Sequence, residues 1–341
     1  LEEVVVKASK KDVFAQELAK KAIARAFGSQ EQKKYARAFY RQKTKNGDDY
    51  SEFSEIFYDI RYSSSGIEDW NIFEGRYALK NEAIRNRNYT AFSRFLRPIQ
   101  PDTEELIFPL NPNLDIYYNV SVIDILESEK DRIAIVKFDP INQNKSPKFN
   151  GEVYIDTKTF EVLKISGTLA RDDLALVKLD TKDSYWKDYS LGYEIVYKRD
   201  TNSKLVLDYI NIEQEFDYYK DDRFQYHTAT ISNLTFYEHY SQTSRKRLGG
   251  RLQRNQSDWQ NLDDIGYNEQ FWADNPVVRR TPVEEKVIKA FEKDKAFSSI
   301  FLNSAENIAL LASNISEEPF IKELGANINL YNNYNPVEKV Y

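Results

Sequence analysis

Hydrophobic and polar residues alternate in a series of short segments through the middle of the chain. In one of them, Leu191, Tyr193, Ile195 and Tyr197 occupy every second position. Such alternation places hydrophobic side chains on one face of a strand and polar ones on the other. Repeated at short intervals, it is typical of an antiparallel meander with one buried face. The predicted strands are residues 116–124, 131–138, 151–156, 160–169, 191–198, 204–212 and 226–237.

An earlier segment, residues 50–62, alternates in the same way. Ile56 and Tyr58 fall on one face and Glu55 and Asp59 on the other, so we predict a half-exposed strand. Residues 156–159 and 200–203 are rich in Asp, Asn, Ser and Thr, whose side chains hydrogen-bond to nearby backbone and favour turns. We therefore predict that each segment is the turn of a β-hairpin.

Helical patterns flank the predicted strands. Residues 12–27 begin with a capping Asp12 and place Phe14, Leu18 and Ile23 at helical spacing. A second helix starts at Thr281, which Pro282 follows at the first helical position, and is predicted to reach about residue 297. Weaker helical patterns cover residues 76–97, 298–312 and 319–324.

These elements predict an α+β fold in which a curved, mainly antiparallel sheet is covered on its concave or open side by the N- and C-terminal helices. The predicted domain boundaries follow from the same pattern. Residues 1–10 read as a lone strand whose partner strands lie outside this sequence, residues 11–255 as the helix and the sheet, and residues 256–341 as a helical extension packed on the sheet. Hydrophobic residues at alternate positions of so many strands must be shielded from water, by helices, a ligand or a partner.

Composition excludes several classes of function. The 341 residues contain no Cys, which rules out a thiol nucleophile and thiolate metal sites. A net charge of −6 argues against a nucleic-acid-binding role, and no hydrophobic run is long enough for a transmembrane helix. Phosphate-binding and nucleophile-elbow motifs are absent. Two histidines, His227 and His239, do not make a zinc site without help from carboxylates. We therefore expect no cofactor, no metal and no catalytic residue.

Aromatic residues are abundant, with 24 Tyr, 20 Phe and 4 Trp. Most are expected in the sheet and core, but Tyr and Trp also suit a ligand groove because each combines an apolar ring with a polar group. The segment 259–276 is either a loop that plugs one end of the sheet or a lid over a ligand. The candidate ligand-binding residues are Tyr193, Tyr197, Tyr209, Trp259, Phe271 and Trp272.

A basic segment without acids follows the last predicted strand. It is either a solvated loop or a contact for an anionic partner, because Arg and Lys suit phosphates and carboxylates. The candidate contact residues are Arg245, Lys246, Arg247, Arg251 and Arg254.

Paired acids leave an enzymatic alternative open. A glycan hydrolase needs two carboxylates facing each other across a cleft, and adjacent acids in a charged sequence are usually loop tips. The candidates for this alternative are Asp172, Asp173, Asp221, Asp222, Glu213 and Glu215.

Several short motifs resemble those of a known group of proteins. Residues 1–8, LEEVVVKA, are similar to the closing strand of the carboxypeptidase-regulatory-like domain, a β-sandwich found in many cell-envelope proteins of the Bacteroidota. The resemblance implies that residues 1–10 are the last strand of such a domain. Residues 38–41, AFYR, and 72–76, IFEGR, resemble motifs of envelope proteins that carry this domain. Residues 334–341, YNPVEKVY, resemble the entry to a macroglobulin-like domain. The resemblance implies a longer parent chain in the periplasm or associated with the outer membrane.

A further resemblance concerns the sheet itself. Residues 149–165, FNGEVYIDTKTFEVLKI, are similar to a hairpin of the outer-membrane lipoprotein carriers, in which an open half-barrel packs on helices. This resemblance implies a non-enzymatic binding or carrier module that holds a lipid or another apolar ligand, or docks an envelope protein, in a half-barrel. The alternatives are the glycan hydrolase and a purely structural adaptor between domains.

Overall fold

The computed structural model describes residues 12–29, 32–64, 66–79, 107–128, 131–141, 148–169, 184–240, 261–262, 265–274, 280–294 and 296–297. It contains ten strands and four named helices in these ranges. The helices are α1 (Val13–Gly28), α2 (Leu114–Tyr117), α3 (Glu269–Asp274) and α4 (Pro282–Lys293). The strands are β1 (Lys34–Asn46), β2 (Asp49–Ser63), β3 (Gly66–Leu79), β4 (Tyr118–Glu127), β5 (Arg132–Pro140), β6 (Phe149–Asp156), β7 (Val162–Leu169), β8 (Ser184–Arg199), β9 (Leu205–Lys220) and β10 (Arg223–Tyr240).

All ten strands belong to one open, curved, antiparallel sheet in the order β3-β2-β1-β10-β9-β8-β7-β6-β5-β4. Strands β1 to β3 form one meander and β4 to β10 another. Strand β1, the first of one meander, pairs with β10, the last of the other, and Tyr40 lies opposite Leu234. This architecture confirms the predicted α+β class with a curved antiparallel sheet.

Two neighbouring rows of residues cross the whole sheet and define its faces. One row is polar on every strand, and the adjacent row, one residue away on each strand, is apolar or glycine throughout. The polar row is Ser121, Lys137, Glu152, Ser166, Glu194, Asn211, Asn233, Arg41, Glu55 and Arg76. The apolar row is Val122, Val136, Val153, Ile165, Ile195, Ile210, Leu234, Tyr40, Ile56 and Gly75. We call the face with the polar row the outer face and the opposite one the inner face.

The helices lie on opposite faces, not together on one. Helix α1 packs in the core cluster of the inner face. Helix α4 packs on the outer face against Phe53 and Ala78, and α3 contributes Trp272 to an outer-face cluster with Phe39 and Phe57. The parts of β1 to β3 beneath these helices are therefore buried on both sides. The prediction of a half-exposed strand at residues 50–62 is wrong for this reason, since Glu55 and Asp59 are each only 1% exposed.

A buried ion network joins the sheet to α4. Both carboxylate oxygens of Glu55 are used: Oε1 pairs with Arg41 at 2.7 Å and Oε2 with Arg76 at 2.6 Å. Arg41 also contacts Glu284 of α4 at 3.1 Å. The side chain of Arg76 is 1% exposed and its guanidinium lies over the ring of Trp272, with 4.5 Å to the centroid. Two positive charges thus meet two carboxylates and an aromatic face where water is excluded.

The network also explains the two short motifs. AFYR ends at Arg41 in β1, and IFEGR ends at Arg76 in β3, and both arginines pair with the same Glu55 of β2. Because β1 and β3 flank β2, cross-strand register places the three side chains in one row.

The start of α4 is the predicted one. Thr281 accepts a hydrogen bond from the Glu284 backbone, and the Glu284 carboxylate accepts from the Thr281 backbone, which completes a capping box. Burial opposes ionisation of Glu284, but its bonds to Thr281, Lys43 and Arg41 hold its pKa below the ordinary value. One carboxylate therefore caps the helix and anchors it to β1.

Several elements differ from the sequence prediction. Residues 116 and 117, predicted to begin a strand, belong to α2, the segment 259–276, predicted as a loop, contains α3, and α4 ends at Lys293, before the predicted residue 297. Most of β3 was not predicted. Strand β1 was not predicted, because its arginines and lysines obscure the alternation of apolar residues. Arg76, predicted to begin an irregular helix, lies in β3, and the remainder of that segment, residues 80–97, lies outside the described residues, as do the helices predicted at 298–312 and 319–324 and residues 1–10.

We expect Glu55→Ala to lower the free energy of unfolding by about 3–5 kcal/mol. The variant removes the carboxylate that two buried arginines share, and leaves Arg41 with Glu284 alone and Arg76 with the half-exposed Glu292. The matched control is Glu68→Ala, which removes a more exposed carboxylate paired with Lys33 and should cost less than about 1 kcal/mol. Urea denaturation followed by circular dichroism measures both. Equal losses in the two variants would contradict a central role for the network.

Glu74 provides a second test of the outer-face packing. Its side chain is buried beside α3, and desolvation raises its pKa from 4.5 to about 7 despite hydrogen bonds from the Gly75 backbone and the Asn268 side chain. The folded state thus favours the protonated acid. Stability should fall as pH rises from about 4.5 through 7, because the unfolded chain releases this proton more readily. The urea midpoint should therefore fall between pH 5 and pH 8, and it should fall less in Glu74→Gln than in the wild type. An equal fall in both proteins would show that Glu74 does not cause it.

Candidate functional site

The candidate site is the inner face of the sheet and the helix that covers it. Helix α1 buries Ala15, Leu18, Ala19, Ala22 and Ile23 against this face. Three of these five residues are alanines, so the helix approaches the sheet closely through small side chains. Phe14, expected on the buried side, is 47% exposed, because the buried stripe runs through Ala15 and Ala19 instead.

Polar contacts hold α1 at its rim. Asp12 caps the helix by accepting from the Ala15 backbone, and its other oxygen accepts from the backbone N–H of Val122 in the edge strand β4 at 2.9 Å. Lys20 pairs with Asp115 at 2.5 Å. Ser64, after β2, donates to the carbonyl of Ala26 at 2.7 Å. The Lys20–Asp115 pair is about half exposed and so contributes little to stability.

Asp12 is the most specific of these contacts, because one carboxylate serves both a helix end and a sheet edge. The hydrogen bonds from Ala15 and Val122 lower the pKa of Asp12 against a small opposing effect of desolvation. The ionised carboxylate is therefore the form that ties α1 to β4.

Tyr193 lies inside the inner-face core. Its ring packs edge-on against Phe149, with 4.9 Å between centroids, and against Phe108. It sits directly over Gly167 of β7, where an added Cβ would lie 2.4 Å from the Tyr193 ring. Burial raises the pKa of the Tyr193 hydroxyl. Tyr193 therefore lies on the inner face, where it is buried in a packed core.

Tyr197 and Tyr209 occupy different positions. Tyr197 is half-buried against the inner-face cluster, and burial raises its pKa. Tyr209 lies opposite Val196 on the outer face and donates to Glu194. That hydrogen bond, together with desolvation, raises the pKa of Tyr209 to about 12.

Phe271 and Trp272 belong to the outer face of β1 to β3. Both rings contact Phe57, at 5.5 and 5.6 Å between centroids. They therefore cover strands, as the plug interpretation of this segment expects, and are remote from Tyr193 in the fold because they contact the opposite face. The five described aromatic candidates do not form one site. Trp259 lies outside the described residues, as do Arg245, Lys246, Arg247, Arg251 and Arg254.

Among the described residues, the acids proposed for a hydrolase are not gathered in one cleft. Asp221 and Asp222 are exposed in the β9–β10 turn, both at positive φ. Glu213 and Glu215 are exposed on β9. Asp172 and Asp173 lie outside the described residues. Among the residues that the structure describes, no group of three or more His, Asp or Glu is arranged to hold a metal ion.

The two histidines are engaged in the sheet. His227 Nδ1 lies 2.8 Å from the Asp217 carboxylate across the β9–β10 ladder. His239 packs between Tyr62 and Phe236, and desolvation lowers its pKa.

The ion network and the alanine-rich contact surface of α1 were not predicted from the sequence. Alternation indicated that Glu55 lies on the polar face of β2, but not that helices cover that face. The spacing of Ala15, Ala19 and Ala22, at steps of four and three, was the available signal for the buried stripe of α1.

Comparison with known proteins gives structural neighbours alone. No protein-family model and no curated protein sequence matches the chain. A LolA superfamily protein of Nitrosomonas europaea is 11% identical over 66% of this chain and 94% of its own, with a TM-score of 0.24. An outer membrane lipoprotein-sorting protein domain of Vibrio parahaemolyticus is 12% identical over 69% and 94%, with a TM-score of 0.27. A DUF1329 family protein of Desulfovibrio piger is 10% identical over 68% and 95%, with a TM-score of 0.28.

The geometry of the chain defines an α+β protein with an open antiparallel sheet. In the described part of the chain no helix is both long and apolar enough to cross a bilayer.

We expect Gly167→Ala to destabilise the protein by about 1–3 kcal/mol, because the new methyl group would overlap the Tyr193 ring and force repacking of the core. Gly192→Ala, one strand away on the opposite face, is the matched control. Its added Cβ would meet nothing nearer than two carbonyl oxygens at 4.0 Å, so stability should not fall. Thermal unfolding followed by tyrosine fluorescence distinguishes the variants, and equal melting temperatures would contradict the tight seating of Tyr193.

Proposed function

We propose that the chain is a non-enzymatic binding module of the cell envelope that holds an apolar ligand between α1 and the inner face of the sheet. The observation that supports this proposal is the mismatch between the two surfaces. The inner face presents an uninterrupted apolar row from β4 to β2, whereas α1 covers it largely through alanines. The envelope location follows from the resemblance of residues 149–165 to the lipoprotein carriers.

Alanine makes α1 easier to displace than an ordinary core helix. Burial contributes roughly 0.8 kcal/mol per CH₂ group, so an alanine contributes much less than a leucine at the same position. Lifting α1 therefore costs less than lifting a leucine-rich helix of equal length. A ligand with an acyl chain or another extended apolar body would restore the burial that the sheet loses.

The polar contacts at the rim then hold α1 in the closed position. The Lys20–Asp115 ion pair is weak because it is about half exposed. Asp12 is stronger, because losing a helix cap costs about 1 kcal/mol and the same carboxylate also satisfies an edge strand N–H. The entrance is expected at β4, where α1 begins.

A docked envelope protein is the second candidate, favoured by exposed apolar side chains at the same edge. These are Val13, Phe14, Ile116, Ile123 and Leu126, each between 46% and 64% exposed. Exposed apolar residues beside an edge strand are typical of partner contacts. Ligand transfer to such a partner would use both features at one place.

The geometry favours binding over hydrolysis. A general acid needs a carboxyl with a raised pKa near a second carboxylate. Glu194, which faces other acids on the outer face, has a lowered pKa because bonds from Lys164 and Tyr209 outweigh desolvation.

We expect an environment-sensitive fatty acid, dansyl-undecanoic acid, to bind with increased emission. In Asp12→Ala the association rate should rise about five-fold, because the lost cap favours the open state by about 1 kcal/mol. Stopped-flow fluorescence measures the rate, and native mass spectrometry of the purified wild type tests for a co-purifying lipid.

The control is Asp200→Ala, which removes the same kind of backbone-capping carboxylate from the β8–β9 turn, away from α1. Its rate should equal that of the wild type. Failure of the probe to bind, or equal acceleration in both variants, would overturn the proposed role of α1.

A further inference from the structure

A second concave surface lies on the outer face, opposite the core. It is a groove of about 700 Å³ that crosses strands β5 to β9. We call it the outer groove. Its side chains come from alternate positions of each strand and include Lys137, Asn150, Glu152, Ser166, Thr168, Glu194, Asn211 and Glu213.

We propose that the outer groove binds a neutral or amino-bearing oligosaccharide. This inference is independent of the apolar site, because the two surfaces lie on opposite faces of the sheet.

The side chains that line the outer groove are mainly hydrogen-bonding groups. The amides of Asn150 and Asn211 and the hydroxyls of Ser166 and Thr168 each both donate and accept. The glutamates only accept. The groove therefore offers many hydrogen-bond acceptors and several groups that both donate and accept. Such a surface suits a ligand with many hydroxyl or amino groups, which is the chemistry of a sugar chain.

Two acceptors of the groove are held in place by neighbouring side chains. Glu194 is held by Lys164 and by the hydroxyl of Tyr209. The Asn211 amide donates to Glu213 at 3.3 Å. These pairs orient the acceptors before a ligand arrives, which lowers the ordering cost of binding. The lowered pKa of Glu194 keeps its carboxylate ionised as an acceptor.

Gly192 lies at the floor of the outer groove. Glycine weakens a strand interior, and it often marks a bulge, a tight bend or a place where a ligand or another backbone approaches closely. No neighbouring group requires glycine here, since an added Cβ would meet only two carbonyl oxygens at 4.0 Å. Gly192 therefore leaves part of the groove floor bare without serving the packing of the sheet, unlike Gly167 on the other face.

Binding is tested by calorimetric titration of the full chain with cellohexaose, mannohexaose and chitohexaose. We expect at least one to bind the wild type. Gly192→Trp, which fills the groove from its floor, should weaken that binding at least about twenty-fold. Gly192→Ala, which adds only one methyl group at the same position, should retain it.

A second variant avoids dependence on bulk. Asn150→Ala combined with Asn211→Ala removes two amides and should weaken binding about ten-fold. Circular dichroism melts of every variant verify folding. The proposal is overturned if none of the hexasaccharides binds at millimolar concentration, if binding survives Gly192→Trp in a folded protein, or if only spermidine or a galacturonate hexamer binds in the groove. Dansyl-undecanoic acid binding should be the same in all these variants.

Discussion

Each of the ten strands places a polar residue beside an apolar one at the same level of the sheet, and the ladder hydrogen bonds hold all ten in that register. A slip of one residue in a strand would turn its polar side chain into the core and, on every strand but β3, an apolar one out of it. The register therefore decides which face α1 can cover and which face is available to polar ligands. It also unites segments far apart in sequence, since β1 pairs with β10.

At the β3 end of the sheet the polar face is buried and not exposed to solvent. Helices α3 and α4 cover the polar face, and its charged row becomes an interior network of Arg41, Glu55, Arg76 and Glu284. Burying these groups is tolerated because every charge meets an opposite one and Arg76 also lies against aromatic rings. At the other end the same row stays accessible and lines the outer groove. One row of residues thus serves as an internal anchor at one end and as a surface at the other.

The two glycines on neighbouring strands show how the faces differ. Gly167 is required by packing, since Tyr193 occupies the space of its missing side chain. Gly192 points to the outer face, where nothing occupies that space. The inner face is thus closely packed, and a ligand there must displace α1, whereas the outer groove is open to solvent and needs no rearrangement. The two proposed sites accordingly suit ligands of opposite polarity.

Local chemistry in the sequence determined much of the fold. Alternation located β2 and the strands from β4 to β10, and Asx chemistry located the turns at Asp156 and Asp200. The Thr281–Glu284 box located the start of α4, and Asp12 the start of α1. These features depend on neighbours within a few residues, so they are readable without the rest of the chain. The tertiary structure alone decided that Glu55 is buried, that Phe14 faces solvent, and that the candidate aromatics are divided between two faces. Those outcomes depend on which distant segments pack together, and alternation along a strand distinguishes two faces without saying what will cover either of them.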